Sequence, residues 1–160
     1  MGQIGNAAVV TSAMASELFL KCLICLETGK APRGHYLKEL FDRLTPETRR
    51  WICMIWDAEV VPIRAELWDQ IEGHQGRGKI VPRDLSTALS MANKTFEKVR
   101  YAYEDELEGV AYMLSDLPTI LKRVILAMRP EWHGLSRPFK AIGQLAAASE
   151  TPVIVRYGVV

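Results

Sequence analysis

Residues 16–29 read Ser16-Glu17-Leu18-Phe19-Leu20-Lys21-Cys22-Leu23-Ile24-Cys25-Leu26-Glu27-Thr28-Gly29. Together with the Ala-, Val- and Met-rich residues before them, they are types that helices favour or tolerate. Gly29 stands where a helix closes in a left-handed conformation. The stretch predicts a helix from about Asn6 to Glu27, ended by Thr28-Gly29-Lys30. Its apolar residues Leu18, Leu20, Leu23, Ile24 and Leu26 cover more than one stripe, so the helix is expected to lie centrally. Glu17 belongs to this helix, and a lone carboxylate is costly to bury there. It is therefore expected to pair with Lys21, one turn along, or with the distant Arg100.

Working outward, Ala31-Pro32-Arg33-Gly34 is a turn, and His35 to Leu44 carries Leu37, Leu40, Phe41 and Leu44 at helical spacing. Thr45-Pro46-Glu47 is a helix start, a hydroxyl cap followed by a proline whose missing N–H does no harm. That helix is expected to reach about Ala58, and Pro62 to open a further piece carrying Ile63, Leu67 and Ile71. Gly73, Gly76 and Gly78 mark a polar loop. Asp84 caps the next helix, in which Leu85, Leu89, Ala92, Phe96, Val99 and Tyr103 share one face. Asp116 to Met128 is another helix, buried through Ile120, Leu121, Val124 and Ile125 and ended by Pro130. The reading is all-α: an antiparallel up-and-down bundle of four to five main helices over residues 1–135, with a separate tail over 136–160. Val153 to Tyr157 is β-prone, but one strand makes no sheet.

Composition narrows the function classes. The chain has 160 residues and a net charge of +1. No apolar run approaches the roughly 18 residues that span a bilayer, and Met1-Gly2-Gln3 does not begin a secretory signal. A cytoplasmic protein without membrane association is the expectation. Basic residues are spread along the chain, with short pairs at Arg49-Arg50 and Lys122-Arg123, so total charge gives little support for strong nucleic-acid binding. Three cysteines, an odd number, argue against a disulfide framework. Cys22 and Cys25 form a C-x-x-C inside the apolar helix, where they read as core. With His35, His74 and His133 scattered, no metal site and no cofactor are expected.

Two segments together resemble the HEPN superfamily. One is Ser16 to Leu23, continued by Thr28-Gly29 and by Gly34-His35-Tyr36-Leu37-Lys38-Glu39-Leu40-Phe41. The other is Phe96-Glu97-Lys98-Val99-Arg100-Tyr101-Ala102-Tyr103-Glu104. They are similar, in order and separation, to the "ELxLK…TG…GHxLxxLF" and "F…RYxYE" patterns of bacterial HEPN-type proteins, over roughly residues 6–130. The resemblance implies a helical bundle paired as a homodimer. It also implies links to RNA cleavage, nucleotide binding, toxin–antitoxin pairs or phage defence, with RNA, a nucleotide or an antitoxin-like protein as partner. Active members use an arginine to stabilise a phosphate oxyanion and a histidine a few residues later for proton transfer, without metal.

Arg100 matches that arginine. The histidine is missing, and Tyr101, Ala102, Tyr103, Glu104, Asp105 and Glu106 follow instead. Glu104 is the available base, but the acidic run to Glu108 repels a phosphodiester. Arg100 and Glu104, four apart, equally read as a surface ion pair. Glu17, Lys21, His35 and Tyr101 are the candidate binding residues. His35 either positions its turn or supplies the missing proton-transfer group, and Tyr101 either packs or stacks on a base. Trp51, Trp56, Trp68 and Trp132 read as core or interface. Three functional readings follow: a non-catalytic HEPN-like module that dimerises and binds a macromolecule or nucleotide; a metal-independent ribonuclease built on Arg100 with Glu104 or His35; and a structural bundle unrelated to HEPN proteins.

Overall fold

The structure is a computed structural model, and it describes residues 2–74, 81–92 and 114–136. Among these residues every regular element is helical. The chain forms two compact units, Met1–Met128 and Arg129–Val160. In the first, α1 spans Gly2–Thr28, α2 Leu37–Asp42, α3 Pro46–Ile55, α4 Val61–His74, α5 residues 85–92 and α6 Leu117–Met128. The result is an all-α helical bundle.

Helix α1 packs along α6 and against α2, and α3 also meets α6. The core draws Leu20, Leu23 and Ile24 from α1, Leu37, Leu40 and Phe41 from α2, and Leu117, Leu121 and Val124 from α6. Each such side chain, taken fully from water, contributes about 1.5–3 kcal/mol. At 100° per residue, Leu20, Leu23 and Ile24 share one face of α1. Leu18 and Cys25 fall on the opposite face, where Leu18 is 62% exposed and Cys25 is exposed too. The core placement expected of Cys25 is thus overturned, and Cys22 is half-buried.

The caps follow the sequence. Gly29 closes α1 at φ +70° and donates its N–H to the Cys25 carbonyl at 2.8 Å. Thr45 Oγ1 accepts from the Thr48 N–H at 3.4 Å, with Pro46 opening α3. Glu27 at the end of α1 reinforces that cap, accepting the Thr45 N–H at 2.9 Å and its hydroxyl at 2.8 Å. Asp84 caps α5 by accepting the Thr87 N–H at 2.8 Å, which holds its carboxyl below the ordinary range. Helix α2 is shorter than the expected His35–Leu44 segment, and α1 starts earlier than Asn6.

One boundary differs in kind. The break expected between Ala58 and Pro62 is a π-helical segment, Trp56–Val60, that joins α3 to α4 without interruption. Proline lacks the N–H for an i→i−4 bond and its ring crowds that carbonyl. A wider turn accommodates it, seen in the Val61 N–H bonding five residues back to the Trp56 carbonyl. The Trp56 ring is buried, stacks on Trp68 with centroids 6.4 Å apart, and donates its indole N–H to the Arg83 carbonyl at 2.8 Å. Trp51 is half-buried.

In the second unit, Pro130–Ser136 forms a 3-10 turn. There the Arg129 guanidinium lies 5.2 Å from the Trp132 ring centroid and pairs with Glu131 at 2.9 Å. The β-prone tail, the residues from Asn93 to Tyr103 expected to extend α5, and the Gly76-Gly78 loop lie outside the described residues.

Replacing Trp68 by Ala removes one of the largest fully buried side chains. It is expected to cost about 3–5 kcal/mol, read as a marked fall in the urea midpoint. An unchanged midpoint would contradict the placement of the tryptophan pair in the core.

Candidate functional site

Three of the candidate binding residues meet at one carboxylate. Glu17 lies on the inner face of α1, within 60° of Leu20 and Ile24 by helical phase, and the residue is only 8% exposed. Its Oε1 accepts from Lys21 Nζ at 2.7 Å and lies 2.9 Å from His35 Nδ1. Pairing with Lys21, one of the two alternatives expected from sequence, is what the structure contains. The His35 contact was not anticipated, because eighteen residues and a turn separate the two.

Local chain geometry brings His35 there. After α1 ends, residues 31–36 run without helical structure, and Gly34 adopts φ +104°, a conformation that favours glycine. Tyr36 then precedes the first turn of α2, whose Leu37 and Leu40 enter the core. The "GH" pair therefore works as one device: Gly34 turns the chain and His35 reaches back to α1. The side chain of His35 remains 61% exposed while that of Glu17 is only 11% exposed. A buried carboxylate thus orients a solvent-accessible imidazole, and an ammonium on the same oxygen offsets the cost of burying the charge.

Arg100, Glu104 and Tyr101 lie outside the described residues. Among the described residues no group of three metal-ligating side chains could hold an ion.

A second feature escaped the sequence reading. Glu59, Val60, Ile63, Arg64, Asp116, Thr119, Ile120 and Arg123 line a shallow surface groove of about 150 Å³ between the π segment with α4 and α6. Arg64 forms a two-pronged pair with Asp116 at 2.8 and 2.9 Å. Arg123 does the same with Glu59, which lowers the Glu59 pKa through the hydrogen bond from Arg123. Both guanidiniums are committed to carboxylates, so the groove is an inter-helix brace rather than an anion site. Pairs spanning more than fifty residues leave no spacing signal in a sequence.

No protein-family model, no curated protein and no solved structure matches the chain.

Glu17→Gln keeps the shape but removes the charge that holds Lys21 and His35. Hydrogen bonds to charged groups contribute about 1.5–3 kcal/mol, reduced here by the partial exposure of both donors, so a loss of about 1–2 kcal/mol is expected, several degrees in melting temperature. An unaltered melting curve would dissolve the cluster.

The cysteines give a separate check. Burial raises the thiol pKa of both Cys22 and Cys53 and slows their thiolate chemistry. Timed alkylation with iodoacetamide, followed by peptide mass spectrometry, is expected to label the exposed Cys25 first. Faster labelling of Cys22 or Cys53 would contradict the burial pattern.

Proposed function

We propose that this chain is a HEPN-like helical module that pairs with a second copy and binds a macromolecule or nucleotide without cleaving RNA. One observation carries the reading: Arg100 is followed by Tyr101-Ala102-Tyr103-Glu104-Asp105-Glu106, with no histidine where the resembling ribonucleases place theirs. A tyrosine- and carboxylate-rich segment supplies no imidazole for proton transfer at neutral pH, and its negative charge opposes an incoming phosphodiester. The all-α bundle is compatible with the resemblance. An RNA, a nucleotide or an antitoxin-like protein are the partner classes that the resemblance brings, in a toxin–antitoxin or phage-defence setting.

The second reading, a metal-independent ribonuclease, draws on one specific contact. Glu17 holds His35 at 2.9 Å, and a carboxylate behind an imidazole fixes its tautomer and its orientation. In that reading His35 moves the proton and Arg100 stabilises the developing oxyanion. Lys21 on the same Glu17 oxygen at 2.7 Å weakens the support that the carboxylate gives to the ring, which favours the non-catalytic reading.

Two measurements test this. By sedimentation velocity the protein is expected to run as a dimer. In large excess over end-labelled single-stranded and structured RNA, with and without chelator, it is expected to leave the RNA intact. Chelator-resistant cutting lost in both Arg100→Ala and His35→Ala would establish the ribonuclease instead. A monomer at all concentrations would remove the pairing.

A further inference from the structure

The geometry points to the connection between α1 and α2, with Arg43 beside it, as a contact surface for the phosphodiester backbone of single-stranded nucleic acid. Between Glu27 and Glu39 the chain holds Lys30, Arg33, His35 and Lys38 and not one carboxylate. Most cations elsewhere on the described surface are neutralised in place: Arg50 by Glu47, Arg64 by Asp116, Arg83 by Asp69, Arg123 by Glu59 and Arg129 by Glu131. Among the described residues, the cations with no carboxylate within salt-bridge reach are Lys30, Arg33, Arg43 and Lys122. Three of those four belong to this one corner. The net charge of +1 for the whole chain gives no sign of this local excess among the described residues.

Arg43 donates from Nη1 to the Arg33 carbonyl at 3.1 Å, which ties the Arg43 guanidinium to the loop backbone. Lys30, Arg33 and Arg43 are all exposed. Of the carboxylates that flank the loop, Asp42 pairs with Lys38 and Arg49 and Glu17 with Lys21 and His35, whereas Glu27 accepts from the neutral Thr45 and keeps its charge. Glu39 is exposed, and with Glu27 it sets two carboxylates against the three cations. The N–H groups of Arg33, Gly34 and His35 donate to no acceptor among the described residues, which adds neutral donors to the same surface.

The occupant follows from the exposure of these charges. An exposed cation gains little from a single anion, because water and salt screen it. Affinity accumulates when several phosphates on one polymer are neutralised together and their counterions are released. A flexible single strand can bring successive phosphates to three cations on a short loop. The three cations sit on the irregular connection and at the C-terminal end of α2, not along one face of a helix or ribbon that could enter a groove, so the contact is independent of sequence. This inference stands on charge placement, and it holds or fails independently of HEPN-like pairing and of cleavage.

The test is fluorescence anisotropy with a labelled single-stranded oligothymidylate, a strand that has no 2′-hydroxyl and so separates binding from RNA cutting. Across a salt series, three contacts predict a slope of about −2 in log affinity against log salt, at about −0.7 for each phosphate on a single strand. The double variant Lys30→Gln with Arg33→Gln is expected to bind more weakly and to bring the slope to about −0.7. Its melting temperature should hold, because both side chains are exposed and neither has a carboxylate partner among the described residues. If the double variant fails to fold, each single variant is read instead, with an expected slope change of about 0.7. Lys122→Gln, which removes the cation outside the corner that has no carboxylate partner among the described residues, is expected to change neither affinity nor slope. No binding by folded wild type in large excess at low salt would overturn the proposal. So would a double variant that binds like wild type, a Lys122→Gln variant that weakens binding as much, or poly-glutamate competing as well as the oligonucleotide.

Discussion

Burial of one face of α1 against α6 is the constraint on which the rest of the first unit depends. Once Leu20, Leu23 and Ile24 are turned inward, helical phase decides everything else on α1. Glu17 is carried to the same inner face and must be matched by donors, which it finds in Lys21 and His35. Leu18 and Cys25 are carried to the outer face and stay in water. Ten residues beyond Glu17, Glu27 reaches the start of α3 and satisfies both the N–H and the hydroxyl of Thr45. Two carboxylates on one helix thus anchor two successive connections, the loop into α2 at His35 and the start of α3 at Thr45.

The second organising feature is the continuous helical run from α3 through the π segment to α4. Pro62 forbids a regular turn, and the wider turn that replaces it preserves the run where a break would have ended it. Trp56, which opens that turn, and Trp68, further along α4, are buried and stacked. The polar ends of this region bind it to the chain leading into α5. The Trp56 indole holds the Arg83 carbonyl, Glu72 accepts the Val81 N–H at 2.8 Å, and the Arg83 guanidinium reaches Asp69. The backbone before α5 is therefore held by side chains of the π segment and α4, which supply the hydrogen bonds that an irregular segment cannot make with itself.

What was legible in the sequence, and what was not, divides along a physical line. Local rules read well: Gly29 at the end of α1, Thr45 and Pro46 at the start of α3, and Asp84 ahead of α5 all depend on a few neighbouring residues. The all-α class follows from the same kind of periodicity, summed over several segments. The misreadings arose where one local pattern allows two outcomes. An apolar cysteine at position 25 looks like core until the phase of α1 is known, and Pro62 signals a disturbed helix without saying whether it breaks or widens. At the candidate site, Glu17 with Lys21 was legible as an i,i+4 pair. His35 joining them was not, because its approach depends on the Gly34 turn and on where α2 packs. The Arg64–Asp116 and Arg123–Glu59 braces were beyond reach for the same reason, since only the docking of α4 beside α6 creates them.

Charge shows most clearly how folding changes the meaning of a composition. Counted along the chain, twenty basic and nineteen acidic residues nearly cancel, and neither sign dominates any long stretch. Folding pairs them unequally. Helix spacing closes Lys38 with Asp42 and Arg50 with Glu47, and helix docking closes Arg64 and Arg123 with acids far away in sequence. Each closure takes up an anion on the described surface that is then not free to offset the loop after α1. A paired arginine contributes little to the field outside the protein, whereas an unpaired one projects it over roughly a Debye length, about 8–10 Å in ordinary salt. The electrostatic character of this surface is therefore set by which acids have been taken up by their own cations. By that criterion, and counting the described residues, the corner of Lys30, Arg33 and Arg43 carries an excess of cations while the chain as a whole is close to neutral.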